Sequence, residues 1–116
     1  MGQTVLIVDD HAGFRASARR LLECEGFEVV GEAHNAASAI DAVRDLDPDI
    51  VLLDVQLPDL NGVELAERCP RENGRPAIVL TSSRDASYLT GALAESPARG
   101  FIPKSELSGA ALRKLV

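Results

Sequence analysis

Several short apolar runs in this chain end in polar residues whose chemistry belongs together. Val5-Leu6-Ile7-Val8 leads into Asp9-Asp10, Ile50-Val51-Leu52-Leu53 into Asp54, and Ala77-Ile78-Val79-Leu80 into Thr81-Ser82. Phe101-Ile102 comes just before Lys104. Brought to one place, the three carboxylates would repel one another and invite a hard divalent cation. Mg2+, with Mn2+ as a substitute, suits such a site because it takes oxygen ligands and retains water that a phosphate oxygen can replace. Lys104 offers an ammonium charge for an anionic oxygen, and Thr81 a hydroxyl donor. Metal, ammonium and hydroxyl around a carboxylate make a site for a phosphoryl group, whose equatorial oxygens carry the charge. An aspartate in that position can itself be the nucleophile and form an aspartyl-phosphate.

The elements that must position these residues follow from periodicity. The aliphatic runs are too short for core helices and rich in β-branched residues, so they read as strands buried on both faces. Phe27-Glu28-Val29-Val30-Gly31 is more mixed and reads as an edge strand; Phe101-Ile102 is a short fifth strand ended by Pro103. Between the strands lie helical stripes. Phe14, Ala18, Leu21 and Leu22 line one, stopped by Gly26. Ala36, Ile40 and Val43 line a second, with Asn35 as N-cap and Pro48 beyond its end. A third helix is expected from near Gly62 to before Pro70, a fourth over roughly Asp85 to Glu95, and a fifth from near Ser105 to the last residue. Residues 70–76 read as a surface loop. Five β–α units imply a doubly wound α/β fold of three layers with right-handed crossovers, and the sheet order 2-1-3-4-5 is expected. Ligands in such sheets bind beyond the carboxyl ends of the strands, where the polar residues above fall. Strand alternation does not gather them, on this reading; the parallel topology does.

The 116 residues suit a single domain, and a hydrophobic share of 46% supplies a core rather than a disordered chain. A formal net charge of −6 argues against a nucleic-acid or anionic-membrane surface, since phosphate backbones need a basic face. Cys24 and Cys69 form no C-x-x-C pair and read as free thiols of a reducing cytosol. With no signal-peptide pattern and no long apolar run, a cytoplasmic location is the default. Each site residue also has a plainer reading. Asp9 and Asp10 could cap the first helix, Thr81 could be an ordinary strand residue, Phe101 a core aromatic and Lys104 a solvated lysine. His11 reads as a loop or helix-start residue, His34 as a surface residue, Tyr88 as a helix contact, and Gly62 as a source of backbone freedom at a turn.

Taken in order, the fragments resemble a response-regulator receiver domain of a two-component system, over nearly the whole chain. They are Val8-Asp9-Asp10, Leu53-Asp54-Val55-Gln56-Leu57-Pro58-Asp59 with Gly62, Leu80-Thr81-Ser82, and Gly100-Phe101-Ile102-Pro103-Lys104. The resemblance implies a flavodoxin-like (βα)5 sandwich and one receiver domain over residues 1–116. It implies that Asp54 accepts a phosphoryl group from a sensor histidine kinase. Asp10 would ligate Mg2+ directly, Asp9 mainly through water, and Asp54 and the backbone carbonyl of Gln56 would complete the protein ligands. Lys104 would pair with Asp54 before reaction and with the phosphoryl group afterwards. Thr81, beside Ser82, would move to that group, and Phe101 would enter the space vacated. Many receivers carry tyrosine where this chain has Phe101, so the switch here should rest on packing alone. No turnover of an external substrate is implied.

Val29-Val30-Gly31-Glu32-Ala33, Asp9-Asp10-His11 and Lys104-Ser105 resemble, more narrowly, receivers of LuxR-type, NarL-like transcriptional regulators, which carry helix-turn-helix output domains. Either the chain is the receiver of a longer transcription factor or it is a stand-alone receiver acting through protein contacts, including a homodimer. DNA binding would belong to residues outside this chain. A Mg2+-dependent phosphohydrolase with an aspartyl nucleophile is the rival, disfavoured because no D-x-D pair or second general acid is evident.

Overall fold

Runs buried on both faces need helices on both sides, and the chain arranges itself accordingly. The computed structural model describes residues 2–69, 75–83 and 97–116. The strands are β1 Thr4–Val8, β2 Glu28–Ala33, β3 Ile50–Asp54, β4 Ala77–Ser82 and β5 Gly100–Pro103. The helices among the described residues are α1 Ala12–Cys24, α2 Ala36–Leu46, α3 Gly62–Arg68 and, at the C-terminal end, α4 Gly109–Leu115. All strand pairs are parallel and the order is β2-β1-β3-β4-β5, as the sequence predicts. The helix expected over roughly Asp85 to Glu95, with Tyr88, lies outside the described residues, as do residues 70–74 of the expected loop.

Local signals act where expected. Asn35 Oδ1 accepts the Ser38 N–H at 2.8 Å and caps α2, and Gly26, at φ 95°, takes the left-handed backbone that closes the α1–β2 turn. Some boundaries differ: β2 runs Glu28–Ala33 rather than over Phe27–Gly31, and β5 includes Gly100 and Pro103. The last helix begins at Gly109 rather than near Ser105, because Ser108 is the residue that caps it, accepting the Ala111 N–H at 3.0 Å. Lys104–Glu106 form a short 3-10 turn before it. Among the described residues only Arg75–Pro76 is a cis peptide, so the Lys104–Ser105 bond is trans.

The core divides by strand alternation. Val5, Ile7, Ile50, Leu52, Val79 and Ile102 pack with Ala18, Leu22 and Leu112 on the α1/α4 side. Leu6, Val8, Val51, Leu53, Ile78 and Leu80 pack with α2 and α3 on the other. Continuing the period of two places Asp9, Asp54, Thr81 and Lys104 in line with Ile7, Leu52, Val79 and Ile102. Alternation therefore selects the face and parallel topology selects the end. The expectation that topology alone gathers the site is corrected to that extent.

Candidate functional site

At the carboxyl end of β1 the chain turns sharply into α1, and the turn is held by its own acid. The Asp9 N–H donates to Ala33 O at 3.0 Å, and Asp9 Oδ1 accepts the His11 N–H at 2.8 Å. Asp9 is wholly buried, whereas Asp10 is exposed. His11 Nδ1 lies 3.1 Å from both Asp9 Oδ1 and Asp10 Oδ1. Oxygen and nitrogen atoms of Asp9, Asp10, His11 and Asp54 all lie within 4.8 Å of one another. Hard carboxylate oxygens at this spacing fit a small divalent cation. His11 does start α1, as expected, but its imidazole also joins the cluster, which a loop role does not convey.

Asp54 ends β3 almost without exposure. Burial pushes its carboxyl above the usual aspartate range, and the neighbouring Asp9 adds to the rise; the Gln56 N–H and Lys104 pull the other way. Asp54 Oδ1 accepts the Gln56 N–H at 3.1 Å. Lys104, arriving from β5, reaches both buried acids: Nζ lies 2.6 Å from Asp9 Oδ2 and 3.5 Å from Asp54 Oδ2. The closer pair is an ion pair that is not aligned as a hydrogen bond. The same ammonium sits 4.5 Å above the Phe14 ring of α1. A cation held by two carboxylates and an aromatic face is well placed to meet an added anionic oxygen.

Thr81 stands opposite Asp54 in the β3–β4 register, and its buried Oγ1 has no hydrogen-bond partner. An unsatisfied buried hydroxyl is costly unless something arrives to use it. Ser82 is buried beside it. Phe101 pairs with Leu80 across β4–β5 and packs, half-buried, against the α2/α3-side core, the opposite face from Thr81 and Lys104.

Gly62 works differently from the turn freedom expected of it. Gly26 alone among the described glycines has positive φ. At Gly62 a Cβ would come 2.3 Å from Asp54 O and 2.7 Å from Val55 Cα. Space, not conformation, demands glycine here. The sequence reading also passes over Asp59, whose carboxylate accepts the Ala36 and Ala37 N–H groups at the start of α2, at 2.8 and 3.2 Å. Those bonds hold its carboxyl below the usual range. Its partners lie more than twenty residues earlier in the chain, so no local pattern announces it. Arg15 is a second such residue: only six positions from Asp9, it donates to the Asp9 carbonyl at 2.6 Å, a backbone target that side-chain types do not reveal.

This arrangement meets the pattern of a known family: residues 5–116 match the response regulator receiver domain. The chain belongs to the response regulator receiver family. This receiver is 39% identical over 101 residues to the nitrate/nitrite response regulator protein NarP of Escherichia coli, a match covering 86% of this chain and 47% of NarP. It is 32% identical over 104 residues to the chemotaxis protein CheY of Thermotoga maritima, covering 90% of this chain and 87% of that protein. Its fold superposes on a LuxR-family two-component response regulator from Aurantimonas sp. SI85-9A1 with TM-score 0.85 and 31% identity, over 98% of this chain and 81% of that one. The chain thus spans about half the length of relatives such as NarP. It is a two-component receiver, a signalling domain whose neighbours include LuxR-family regulators. Among the described residues no helix is long and apolar enough to cross a membrane.

Proposed function

We propose that Asp54 is the phosphoacceptor of this receiver. An Asp54 carboxylate oxygen attacks the phosphorus of a phosphohistidine on a sensor histidine kinase; a P–O bond forms, the P–N bond breaks, and the imidazole nitrogen leaves with the electron pair. The observation that carries this reading is the buried Asp54 carboxylate, gathered with Asp9 and Asp10 and reached by the Lys104 ammonium. Asp9, Asp10, Asp54 and the Gln56 carbonyl would hold Mg2+, which when bound supplies positive charge to the transferring group. Lys104 neutralises a second phosphoryl oxygen, and the Thr81 hydroxyl, at present without a partner, donates to a third.

The new group adds about two negative charges. Movement of Thr81, with Ser82 beside it, toward the phosphoryl group shifts the carboxyl end of β4, and Phe101, which borders Leu80 on the other face of that strand, rotates inward, remodelling the face of β5 and α4. Phenylalanine brings no hydroxyl, so the switch is one of packing. The unit is one receiver over residues 1–116. Its partners are the kinase and, for output, a helix-turn-helix domain controlling transcription, or a second copy of the chain. The domain promotes only its own phosphorylation and hydrolysis.

The test is intact-mass measurement after incubation with Mg2+ and acetyl phosphate or a phosphorylated kinase. Wild type gains a labile phosphate and Asp54→Asn does not. No adduct on wild type, or an undiminished one on Asp54→Asn, would sink the reading.

A further inference from the structure

The carbonyl between the two site aspartates has left the β1 ladder, and its partner comes from α1. Arg15 Nη1 donates to Asp9 O at 2.6 Å. The guanidinium is itself held from the edge strand: Nε donates to Glu32 Oε1 at 3.1 Å. Arg19 Nη1 takes the other Glu32 oxygen at 3.2 Å, while its Nη2 donates to Val29 O at 3.1 Å. Arg15 is only 18% exposed. The chain of contacts runs from β2 through Glu32 and Arg15 to the peptide plane that joins Asp9 to Asp10. Asp10 itself is exposed, and its carboxylate meets His11 Nδ1 at 3.1 Å.

We infer that Arg15 is a positioning residue: by holding the Asp9 carbonyl it orients the Asp9–Asp10 peptide so that both carboxylates present to a divalent cation. The inference rests on the proposed Mg2+ site. Two effects of the guanidinium oppose each other here, which makes the sign of the outcome informative. As a positive charge near a cation site it repels Mg2+, so if charge alone mattered its removal would tighten binding. As an anchor for the ligand-bearing turn its removal loosens binding, and outer partners of metal ligands typically contribute about 10- to 100-fold in affinity. Glu32, shared by Arg15 and Arg19, offsets part of that charge, and on this inference anchoring dominates.

The experiment is calorimetric titration with Mg2+ alone, at fixed ionic strength, on wild type, Arg15→Ala, Arg15→Met and Arg15→Lys, alongside thermal unfolding in EDTA. Arg15→Ala should bind Mg2+ about 10-fold more weakly, and Arg15→Lys should recover part of the loss, since an ammonium can reach the carbonyl but cannot fork onto Glu32. Arg15→Met keeps the apolar stem and carries the test if Arg15→Ala does not fold. Folded variants that bind as tightly as wild type, or more tightly, overturn the inference while leaving the Mg2+ site standing. Wild type that binds no Mg2+ overturns the site and the inference together.

Discussion

Lys104 shows how one residue serves the site before any ligand is bound. Its Nζ lies 2.6 Å from a wholly buried Asp9 carboxylate and 3.5 Å from Asp54. Two buried carboxylates without that ammonium would be uncompensated, and removing one partner of a buried pair typically costs about 3 kcal/mol or more. Lys104→Ala should therefore lower the unfolding free energy by about 3 kcal/mol in urea titrations with EDTA present. Added Mg2+ should recover more stability in the variant than in wild type, because the cation would supply the missing charge. A variant as stable as wild type in EDTA would show that the carboxylates find compensation elsewhere.

Among the elements, the β3–α3 connection bears most on the site. It is fastened at both ends: Gly62 N–H donates to Val55 O at 2.7 Å, and Asp59 clasps the start of α2 through two backbone N–H groups. Gln56 bridges to Asn61 within the same loop, which limits how far the Gln56 backbone can move. The close approach of Gly62 to the Asp54 backbone leaves no room for a side chain, since the contact is with main-chain atoms that cannot swing aside. Gly62→Ala should cost about 1–3 kcal/mol by overpacking and displace the Asp54 amide resonance in a nitrogen–proton correlation spectrum. An unshifted Asp54 resonance together with unchanged stability would mean that α3 can retreat freely from the loop.

For the whole molecule, polar fastening is concentrated at both ends of the sheet. Opposite the site, Asp49 Oδ2 accepts the Thr4 N–H at 2.9 Å and the Thr4 hydroxyl at 3.1 Å, and Oδ1 pairs with Arg75 at 2.7 Å. The Ala77 N–H donates to Asp49 O at 2.9 Å, so the residue joins the starts of β1, β3 and β4. The Thr4 N–H bond, foremost, holds the Asp49 carboxyl below its usual range, and Arg75 assists. A carboxyl whose folded pKa is depressed contributes stability in full above the unfolded value of about 3.9. That contribution is lost as pH falls through the lower folded value. The stability gap between wild type and Asp49→Asn should hold steady from about pH 7 to pH 5 and close below about pH 4. A gap that persists in acid would show that packing, rather than the charge, is what Asp49 supplies.

Much of this protein is determined by sequence alone. Aliphatic β-branched runs specify strands buried on both faces; Asn35 and Gly26 specify where α2 begins and α1 ends; and the polar residues at the strand ends are legible as one chemical set. Five successive β–α units suffice for the expected strand order, which is the observed one. What depends on the tertiary structure has no local pattern in the chain. Lys104 lies nearer to Asp9 than to Asp54 because three parallel strands deliver their ends to one crevice. Gly62 is required for space because α3 folds back onto the Asp54 backbone. Asp59 acts on backbone groups that folding alone brings within reach, and Arg15, though near Asp9 in sequence, meets its carbonyl only through the geometry of the β1–α1 turn. Local propensity is written in neighbouring residues, whereas charge compensation and close packing exist only between residues that folding makes neighbours.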